Sequence, residues 1–275
     1  MINNISGNAF TETPFFDQEL IFKNKIKSIE GNVSKKKDGD IIRPTGDVFR
    51  YKFDSLGRLE SIFETRTVAG KKDSTLNFYF YDSLSRLIVH RKTEFSGISA
   101  YHYSLDSSGR IVKTVQTRDV LDKNGLIKQS YLINQEFITF QKNLYGWKSV
   151  VSNNYNLPFK EEWDSINSDG YLLEHLEYYK MTDLLKRKKF FYNSRGLLAK
   201  ISILENNDSI PTEEFIFQYD TFGNLIEKHT NRKTILVKDL QIIYDPKTQL
   251  LGSIIQREVA SNTMYIIRFQ NYKFY

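Results

Sequence analysis

A short phrase recurs along this chain: an aromatic residue, any residue, a second aromatic residue, Asp or Asn, two further residues, Gly, any residue, and then Leu or Ile. The phrase is clearest at residues 51–59, 79–87 and 217–225, with Ser85 in the glycine position of the second copy. Internal repeats constrain architecture more than any other signal, because every copy must fold as the same structural unit. We therefore expect a stack of one repeated element.

Each copy predicts a β-hairpin. Aromatic residues at positions i and i+2 lie on one face of an extended strand, since side chains alternate between the two faces. Asp or Asn opens the turn by accepting backbone N–H groups, and Gly supplies the positive φ that closes it. The apolar spacing of three and four that a helix needs is missing, and aromatic and β-branched residues dominate. The paired positions are Tyr51/Phe53, Tyr79/Tyr81, Tyr101/Tyr103, Phe190/Tyr192, Phe217/Tyr219 and Ile242/Tyr244.

The turns recur at a mean spacing of about 24 residues, which is enough for two strands and two turns. The predicted turn residues are Asp54, Asp82, Asp106, Asp122, Asn143, Asn167, Asn193, Asp220 and Asp245. Polar segments between these turns, at 69–75, 206–211 and 260–262, are predicted to line the opposite rim of the sheet. The register is least defined between residues 106 and 167, where the copies are degenerate.

The predicted fold class is all-β: an elongated, curled antiparallel β-hairpin repeat array with little or no helix. No linker-like segment interrupts the 275 residues, so we predict a single repeat domain over 1–275. Within it, 1–49 are N-terminal lead-in or cap strands, 50–250 are the hairpin repeats and 251–275 are C-terminal strands. This last segment acts either as a cap or as an edge offered to a partner.

The phrase resembles the YD, or RHS-type, repeats of bacterial envelope and secreted proteins, and the resemblance covers about residues 50–250. Known members wind such hairpins into a sheet spiral, sometimes around a toxin. This chain lacks the toxin-processing end, so encapsulation does not carry over. The Lys-, Asn- and Tyr-rich composition is similar to that of Bacteroidetes envelope proteins and loosely resembles the periplasmic plug subunit of the type 9 secretion translocon.

Composition limits the chemistry and the compartment. The chain has no cysteine, so disulfides and thiol chemistry are excluded, and it has no apolar run long enough to form a membrane-spanning helix. The first residues do not form a signal peptide, so the chain is either cytoplasmic or a mature form; the family resemblance favours the periplasm or cell envelope. The net charge of +6 predicts a soluble surface or attraction to anionic partners, but no nucleic-acid-binding signature accompanies it.

No constellation of residues predicts catalysis, a cofactor or a metal site. The four histidines, His90, His102, His175 and His229, each occur alone in a strand-like stretch without metal-ligand spacing. The recurring Asp residues are explained by turns, and no phosphate loop, nucleophile elbow or zinc signature occurs. Trp147 and Trp163 predict either local core or a carbohydrate or protein contact.

These observations predict a non-enzymatic interaction or scaffold protein of the bacterial cell envelope. The resemblance suggests a soluble periplasmic subunit that docks on and plugs an outer-membrane protein-secretion channel, binding its protein partner through sheet surface or edge. Two alternatives stay open: a glycan-binding β-repeat module, and a hydrolase with a site scattered over several repeats. Nucleic acid is not expected as a partner.

Overall fold

The computed structural model describes residues 16–68, 70–94, 97–122, 127–143, 146–206 and 208–275. One short helix, α1 (Gln18–Lys23), precedes an 18-stranded antiparallel sheet. The strands are β1 (Ile26–Lys37), β2 (Arg43–Phe53), β3 (Leu59–Val68), β4 (Lys71–Tyr81), β5 (Leu87–Glu94), β6 (Gly97–Leu105), β7 (Ile111–Leu121), β8 (Ile127–Asn143), β9 (Gly146–Ser152), β10 (Pro158–Ile166), β11 (Leu172–Tyr179), β12 (Leu184–Tyr192), β13 (Leu198–Glu205), β14 (Glu213–Tyr219), β15 (Leu225–Arg232), β16 (Ile235–Tyr244), β17 (Leu251–Glu258) and β18 (Thr263–Phe274).

The sheet is closed into a barrel. Each strand pairs with its neighbours in sequence, and β1 also pairs with β18, from Ile26 opposite Phe274 to Lys37 opposite Thr263. We call this β1–β18 ladder the seam. The prediction of an all-β antiparallel fold with almost no helix is confirmed. The prediction of an elongated, curled array is wrong, because closure pairs the backbone groups that an open array would leave at its edges. The C-terminal strand is therefore not an edge offered to a partner.

The predicted hairpin turns lie at one end of the barrel, which we call the turn rim. In the turn of residues 54–58, the N–H of Asp54 donates to the carbonyl of Arg58, and the Asp54 carboxylate accepts from the N–H groups of Leu56 and Arg58. Turns also open at Asp82, Asp106, Asn167, Asn193, Asp220 and Asp245. Of the polar segments predicted for the opposite end, 208–211 and 260–262 lie between strands there, whereas 71–75 belong to β4.

Three turns between residues 106 and 167 differ from the simple pattern. Those predicted after Asp122 and Asn143 run into residues 123–126 and 144–145, which lie outside the described residues. A turn that the prediction missed opens at Asn153, whose carbonyl accepts from the N–H of Asn156. Asn156 takes a positive φ of 59° without being glycine. Asn tolerates this conformation, so the missing glycine concealed the turn.

The motif aromatic residues face the lumen of the barrel. Tyr51 and Phe53 are 2% and 0% exposed, and they are covered by Phe16, whose ring lies 4.7 Å and 5.0 Å from theirs between centroids. Around the closed ladder the paired positions drift along the strands in one direction. Neighbouring strands are also rotated in the left-handed sense. The rotation and the drift together curl the sheet so that the face carrying the motif aromatic residues becomes its inner face.

Helix α1 covers part of the lumen at the turn rim. Its N-cap, Asp17, accepts a hydrogen bond from the N–H of Leu20, and Ile21 is 3% exposed within the hydrophobic core. The side chain of Gln18 donates to the carbonyl of Leu56 in the first hairpin turn. A Cβ at Gly57 would lie 2.5 Å from the carbonyl oxygen of Gln18, so the helix fits only against glycine there.

Successive repeats are joined by tyrosine hydroxyls. The second aromatic residue of a motif donates to the carbonyl of the leucine that begins the return strand of the preceding hairpin, as Tyr219 does to Leu198 at 2.7 Å. The same bond joins Tyr81 to Leu59, Tyr192 to Leu172, Tyr244 to Leu225 and Tyr272 to Leu251. The recurring Tyr and Leu of the phrase are thus the two ends of one contact between repeats.

The wall is unevenly covered. No residue of β4, β10, β11 or the described part of β8 is fully buried, whereas β13 buries five of its side chains to below a tenth exposed. The packed core therefore occupies part of the lumen, from the turn rim as far as Ile203 on β13. Within the part of the chain that the structure describes, no helix is long and apolar enough to cross a bilayer.

Candidate functional site

The lumen wall has two zones because of where the motif lies in each strand. The aromatic and leucine positions adjoin the turns, so they form an apolar belt at the turn rim. Charged residues follow on the same face at steps of two, farther from the turns. On β10 to β12 the lumen-facing residues of this second zone are Lys160, Glu162, Asp164, His175, Glu177, Lys186 and Lys188.

His175 lies at the centre of a charged network on this wall. The ladder sets it opposite Asp164, and its Nδ1 is 2.7 Å from Asp164 Oδ1, while its Nε2 is 3.2 Å from Glu177 Oε1. The hydroxyl of Tyr179 donates to the other oxygen of Glu177 at 3.1 Å. Lys188, opposite His175 on β12, reaches the Glu177 carboxylate at 3.5 Å.

Glu162 closes the network on the β9 side. The hydroxyl of Ser149, its partner in the ladder, donates to Glu162 at 2.9 Å, and the ammonium of Lys160 lies 2.6 Å away. Ser149 itself is 5% exposed. The carboxylates of Asp164, Glu162 and Glu177 are therefore matched by His175, Lys160 and Lys188, all on one wall.

The network holds His175 in its charged form. Burial alone would lower its pKa, but the hydrogen bonds that the ring donates to Asp164 and Glu177 outweigh that effect and raise the pKa to about 9. The bond from His175, helped by the charge of Lys188, lowers the pKa of Glu177 to about 2 against the opposing effect of its burial. At neutral pH the pair is thus imidazolium and carboxylate.

The same residues are spaced closely enough to share one ion. Ligand atoms of Glu162, His175 and Glu177 lie within 4.8 Å of one another, a spacing that an ion could bridge. A metal ion there would have to displace the proton that the raised pKa of His175 holds on the ring. The Glu177 carboxylate accepts from two donors, the His175 ring and the Tyr179 hydroxyl.

The other histidines are distributed over both faces of the wall. His90 faces the lumen between Tyr79 and Tyr101, with ring centroids 4.8 Å and 6.1 Å away and nearly parallel planes. Its Nε2 is 3.1 Å from Asn77 Oδ1, and burial lowers its pKa. His102 and His229 face outward, since they pair with Val89 and Asp239 on that face. The four histidines therefore do not converge.

The two tryptophans face opposite sides of the wall. Trp147 pairs with Asp164 on the lumen side, and the Arg110 guanidinium lies 4.3 Å from its ring centroid. Trp163 faces outward, with the Lys148 ammonium 5.1 Å from its ring. They cannot form one binding platform, and both are partly buried rather than packed in the core.

The outer wall carries charges of both signs at mid-strand, together with exposed apolar side chains such as Phe80, Phe191 and Ile243. Lys148 pairs with Glu161 at 2.9 Å, Arg187 with Glu174 at 3.2 Å and Lys200 with Glu214 at 3.4 Å. Asp119 is 2% exposed and accepts from the hydroxyls of Thr117 and Ser130.

The sequence prediction named no site residues, and the His175 network was missed. The signal was present: Glu162 and Asp164 on one predicted strand, and His175 and Glu177 on the next, are each spaced by two. Reading them together required the β10–β11 register, which depends on a bulge between Ser165 and Ile166. Treating each histidine alone therefore hid the only cluster of this kind among the described residues.

Comparisons with known proteins give structural neighbours at low similarity. A porin-like protein from Bacteroides uniformis aligns over 91% of this chain and 97% of its own, with a TM-score of 0.42 and 10% identity. The Photorhabdus luminescens Tc holotoxin pore aligns over 82% of this chain but 15% of its own, with a TM-score of 0.26 and 11% identity. A DUF1329 family protein from Desulfovibrio piger aligns over 94% of this chain and 91% of its own, with a TM-score of 0.21 and 10% identity. No family profile and no curated sequence matches the chain.

Proposed function

We propose that this protein is a non-enzymatic interaction protein of the bacterial cell envelope, which acts as a closed body that binds a protein partner through its outer wall. The observation that carries the proposal is the set of charged pairs along the outer wall of a barrel whose turn-rim end is packed. Ion pairs such as Lys148–Glu161 occupy mid-strand positions outside, while Phe53 and Leu198 are 0% exposed inside. Such a body is water-compatible outside and obstructed at one end.

In the more specific form of the proposal, the protein is a soluble periplasmic subunit that docks on an outer-membrane protein-secretion channel and plugs it. A stopper must be rigid and must lack a passage along its axis. The ladder closed at the seam would make the body rigid. Helix α1 and Phe16, which lie over the aromatic belt, would block a passage along the axis. Contact would be made by the outer wall, since closure leaves no strand edge for pairing.

The test is co-purification from native, detergent-solubilised envelope with a tagged chain, followed by quantification of every captured protein. We expect a large outer-membrane barrel at a stoichiometric ratio, and lower conductance of that barrel in a planar bilayer when the pure chain is added.

A matched pair of variants tests which face of the wall binds the partner. Reversing Lys148 and Arg187 on the outer wall should weaken capture, and changing the lumen residue Lys186 to Gln should not. Equal capture by both variants, or capture without stoichiometry, would contradict docking by the outer wall.

A glycan-binding function is the second candidate, and the Tyr79–His90–Tyr101 stack is the observation that favours it. Stacked rings that are half-buried on a lumen wall can pack against the apolar face of a sugar. Retention on a polysaccharide that is lost in Tyr101→Ala would support this function. Trp147→Ala and Trp163→Ala are informative in the same experiment, because only the lumen-facing Trp147 should matter.

A further inference from the structure

An indentation in the outer wall lies across the seam, where the first and last strands meet. It has a volume of about 850 Å³ and is lined by Lys27, Ser28, Arg50, Lys52, Glu60, Lys273 and Phe274. A smaller hollow of about 420 Å³ adjoins it and shares Ser28, Arg50 and Lys273. These residues come from β1, β2, β3 and β18, so the indentation exists only in the closed barrel.

Bulges explain why a convex wall is hollow here. The β1–β18 ladder shifts register between Ile26 and Ser28 and again between Glu30 and Gly31. The β2–β3 ladder shifts between Lys52 and Phe53, which leaves Glu60 as an extra residue at the margin. Each bulge bends its strand and increases the local twist, so together they fold the wall inward around Ser28.

Lysines surround a small polar floor. Ser28 is 7% exposed and pairs with Lys52 on one side and with Lys273 on the other. The two lysine Cα atoms are therefore two strand spacings apart, about 10 Å, with their side chains on the same face. Side chains of this length can bring both ammonium groups to one small ligand above the Ser28 hydroxyl.

The positive charge of this hollow is not balanced by its own carboxylates. Glu30 is committed to a salt bridge with Arg50. Lys27 lies over the Tyr275 ring, with its ammonium 5.3 Å from the centroid. None of Lys27, Lys52 and Lys273 forms an ion pair within the described part of the chain, and Glu60 is the one carboxylate among the residues that line the larger hollow. An anion is the ligand that relieves this repulsion.

We propose that the seam hollow is an anion-binding site for a phosphate monoester group, held between Lys52 and Lys273 over Ser28. A phosphate monoester carries close to two negative charges at neutral pH and offers three acceptor oxygens. Those oxygens match two ammonium groups and one hydroxyl, and the exposed Phe274 provides an apolar flank for the rest of the ligand. The site is independent of the docking function proposed above.

Binding at this position also stabilises closure. The ligand is held by β1, β2 and β18 together, so it binds the closed barrel and not a form in which the seam is open. A ligand with that preference raises stability in proportion to the logarithm of its concentration. Phosphate should therefore slow amide exchange in β1 and β18 more than in β10 to β12.

The test measures thermal unfolding and seam exchange of the full chain in inorganic phosphate, with chloride at equal ionic strength as the reference. Vesicles of phosphatidic acid, with phosphatidylcholine vesicles as the control, form the second arm. The variant is Lys52→Gln/Lys273→Gln, and the matched control is Lys189→Gln, an outer-wall lysine on β12. We expect saturable stabilisation by phosphate that the double variant weakens about tenfold or more and the control leaves unchanged.

The two arms distinguish the source of the phosphate. Saturable binding of inorganic phosphate points to a soluble monoester, and binding confined to phosphatidic acid vesicles points to a lipid headgroup; both support the site. Three results would overturn it: no difference between phosphate and chloride together with no vesicle binding, equal binding by the double variant and the wild type, or an equal loss in Lys189→Gln. The last would mean general attraction to a basic surface.

Discussion

The side chains of the repeated phrase have separate tasks. Asp or Asn shapes the turn, Gly or Ser85 accepts the positive φ, and Tyr joins one hairpin to the next. Arg58, Arg86 and Arg110 add a further link, since each pairs with the Asp that opens its own turn at 2.6–2.7 Å. Arg58 and Arg86 also donate to a carbonyl of the next turn. The regular spacing of the phrase thus reflects a set of contacts between repeats.

Removing one tyrosine hydroxyl should cost the energy of one partly buried hydrogen bond. In Tyr219→Phe the carbonyl of Leu198 loses its donor, and Leu198 is 0% exposed. We expect the free energy of unfolding to fall by about 1 kcal/mol in chemical denaturation. Tyr155→Phe is the control, because Tyr155 is 75% exposed in a turn. Equal stability of the two variants would mean that the hydroxyl contact does not join the repeats.

The His175 network predicts a definite dependence of stability on pH. The folded pKa of His175 is raised from 6.5 to about 9, so its contribution is complete below pH 6.5 and is lost as pH rises through about 9. For Glu177 the folded pKa is lowered from 4.5 to about 2, so its contribution is present above pH 4.5 and is lost as pH falls towards 2. The network is strongest between pH 4.5 and 6.5.

His175→Gln should flatten the alkaline side of this profile. We expect the wild type to lose about 2 kcal/mol of unfolding free energy between pH 6.5 and 9, and the variant to lose much less. Denaturation curves at several pH values measure the difference, and His102→Gln, on the outer wall, should behave as the wild type does. A parallel decline in His175→Gln would show that the network does not set the alkaline limit.

At the scale of the elements, the first hairpin differs from its copies because it supports α1. Its turn glycine, Gly57, has a φ of 77° and lies against the backbone of the helix. Gly170 occupies the same place in the β10–β11 turn, with a φ of 86° and no atom near its Cβ position. Sequence shows these two glycines as equivalent, and only the position of the helix separates them.

Gly57→Ala should therefore destabilise the protein more than Gly170→Ala does. Both variants carry the strain of a positive φ, about 1–2 kcal/mol, but only the first also forces α1 away from the turn. The excess should appear as faster amide exchange around Ile21 together with a lower unfolding midpoint. If the two alanine variants lose the same stability, the helix is not held by this turn.

Elements were predictable from sequence where the phrase is intact. The turns at Asp54, Asp82 and Asp220 follow from local chemistry, because every residue that forms them lies within five positions. The turn at Asn153 was not found, since Asn156 replaces the glycine that marks the others. The lumen network was not found either, since it needs the register between β10 and β11.

At the scale of the whole molecule, the decisive feature is the seam. Its residues are separated by most of the chain, and its register depends on two bulges that no local pattern announces. Repeats alone allow an open array or a closed barrel, because each hairpin makes the same contacts with its neighbours in both. The fold class was therefore predictable, whereas closure and the hollow beside Lys52 and Lys273 were not.

Gly31 provides a test of closure. It lies opposite Phe269 in the seam, and a Cβ there would lie 2.8 Å from a methyl of Ile267 and 2.9 Å from the Arg268 carbonyl. Gly31→Val should raise amide exchange in β1 and β18 while β10 to β13 stay protected. A wider solution-scattering profile should accompany the change. Uniformly raised exchange would instead show that the barrel unfolds as one unit, without an opening at the seam.

The seam also determines how the barrel responds to mechanical load. β1 begins and β18 ends at the turn rim, where the N–H of Tyr275 donates to the carbonyl of Lys25. A force applied to these two points pulls across the ladder, so the load falls on one pair of hydrogen bonds at a time, starting at that rim. The barrel should then open at low force, by sequential rupture of the hydrogen bonds along the seam. A pull between the two rims would instead load whole strands in shear, and the barrel should resist it far more strongly.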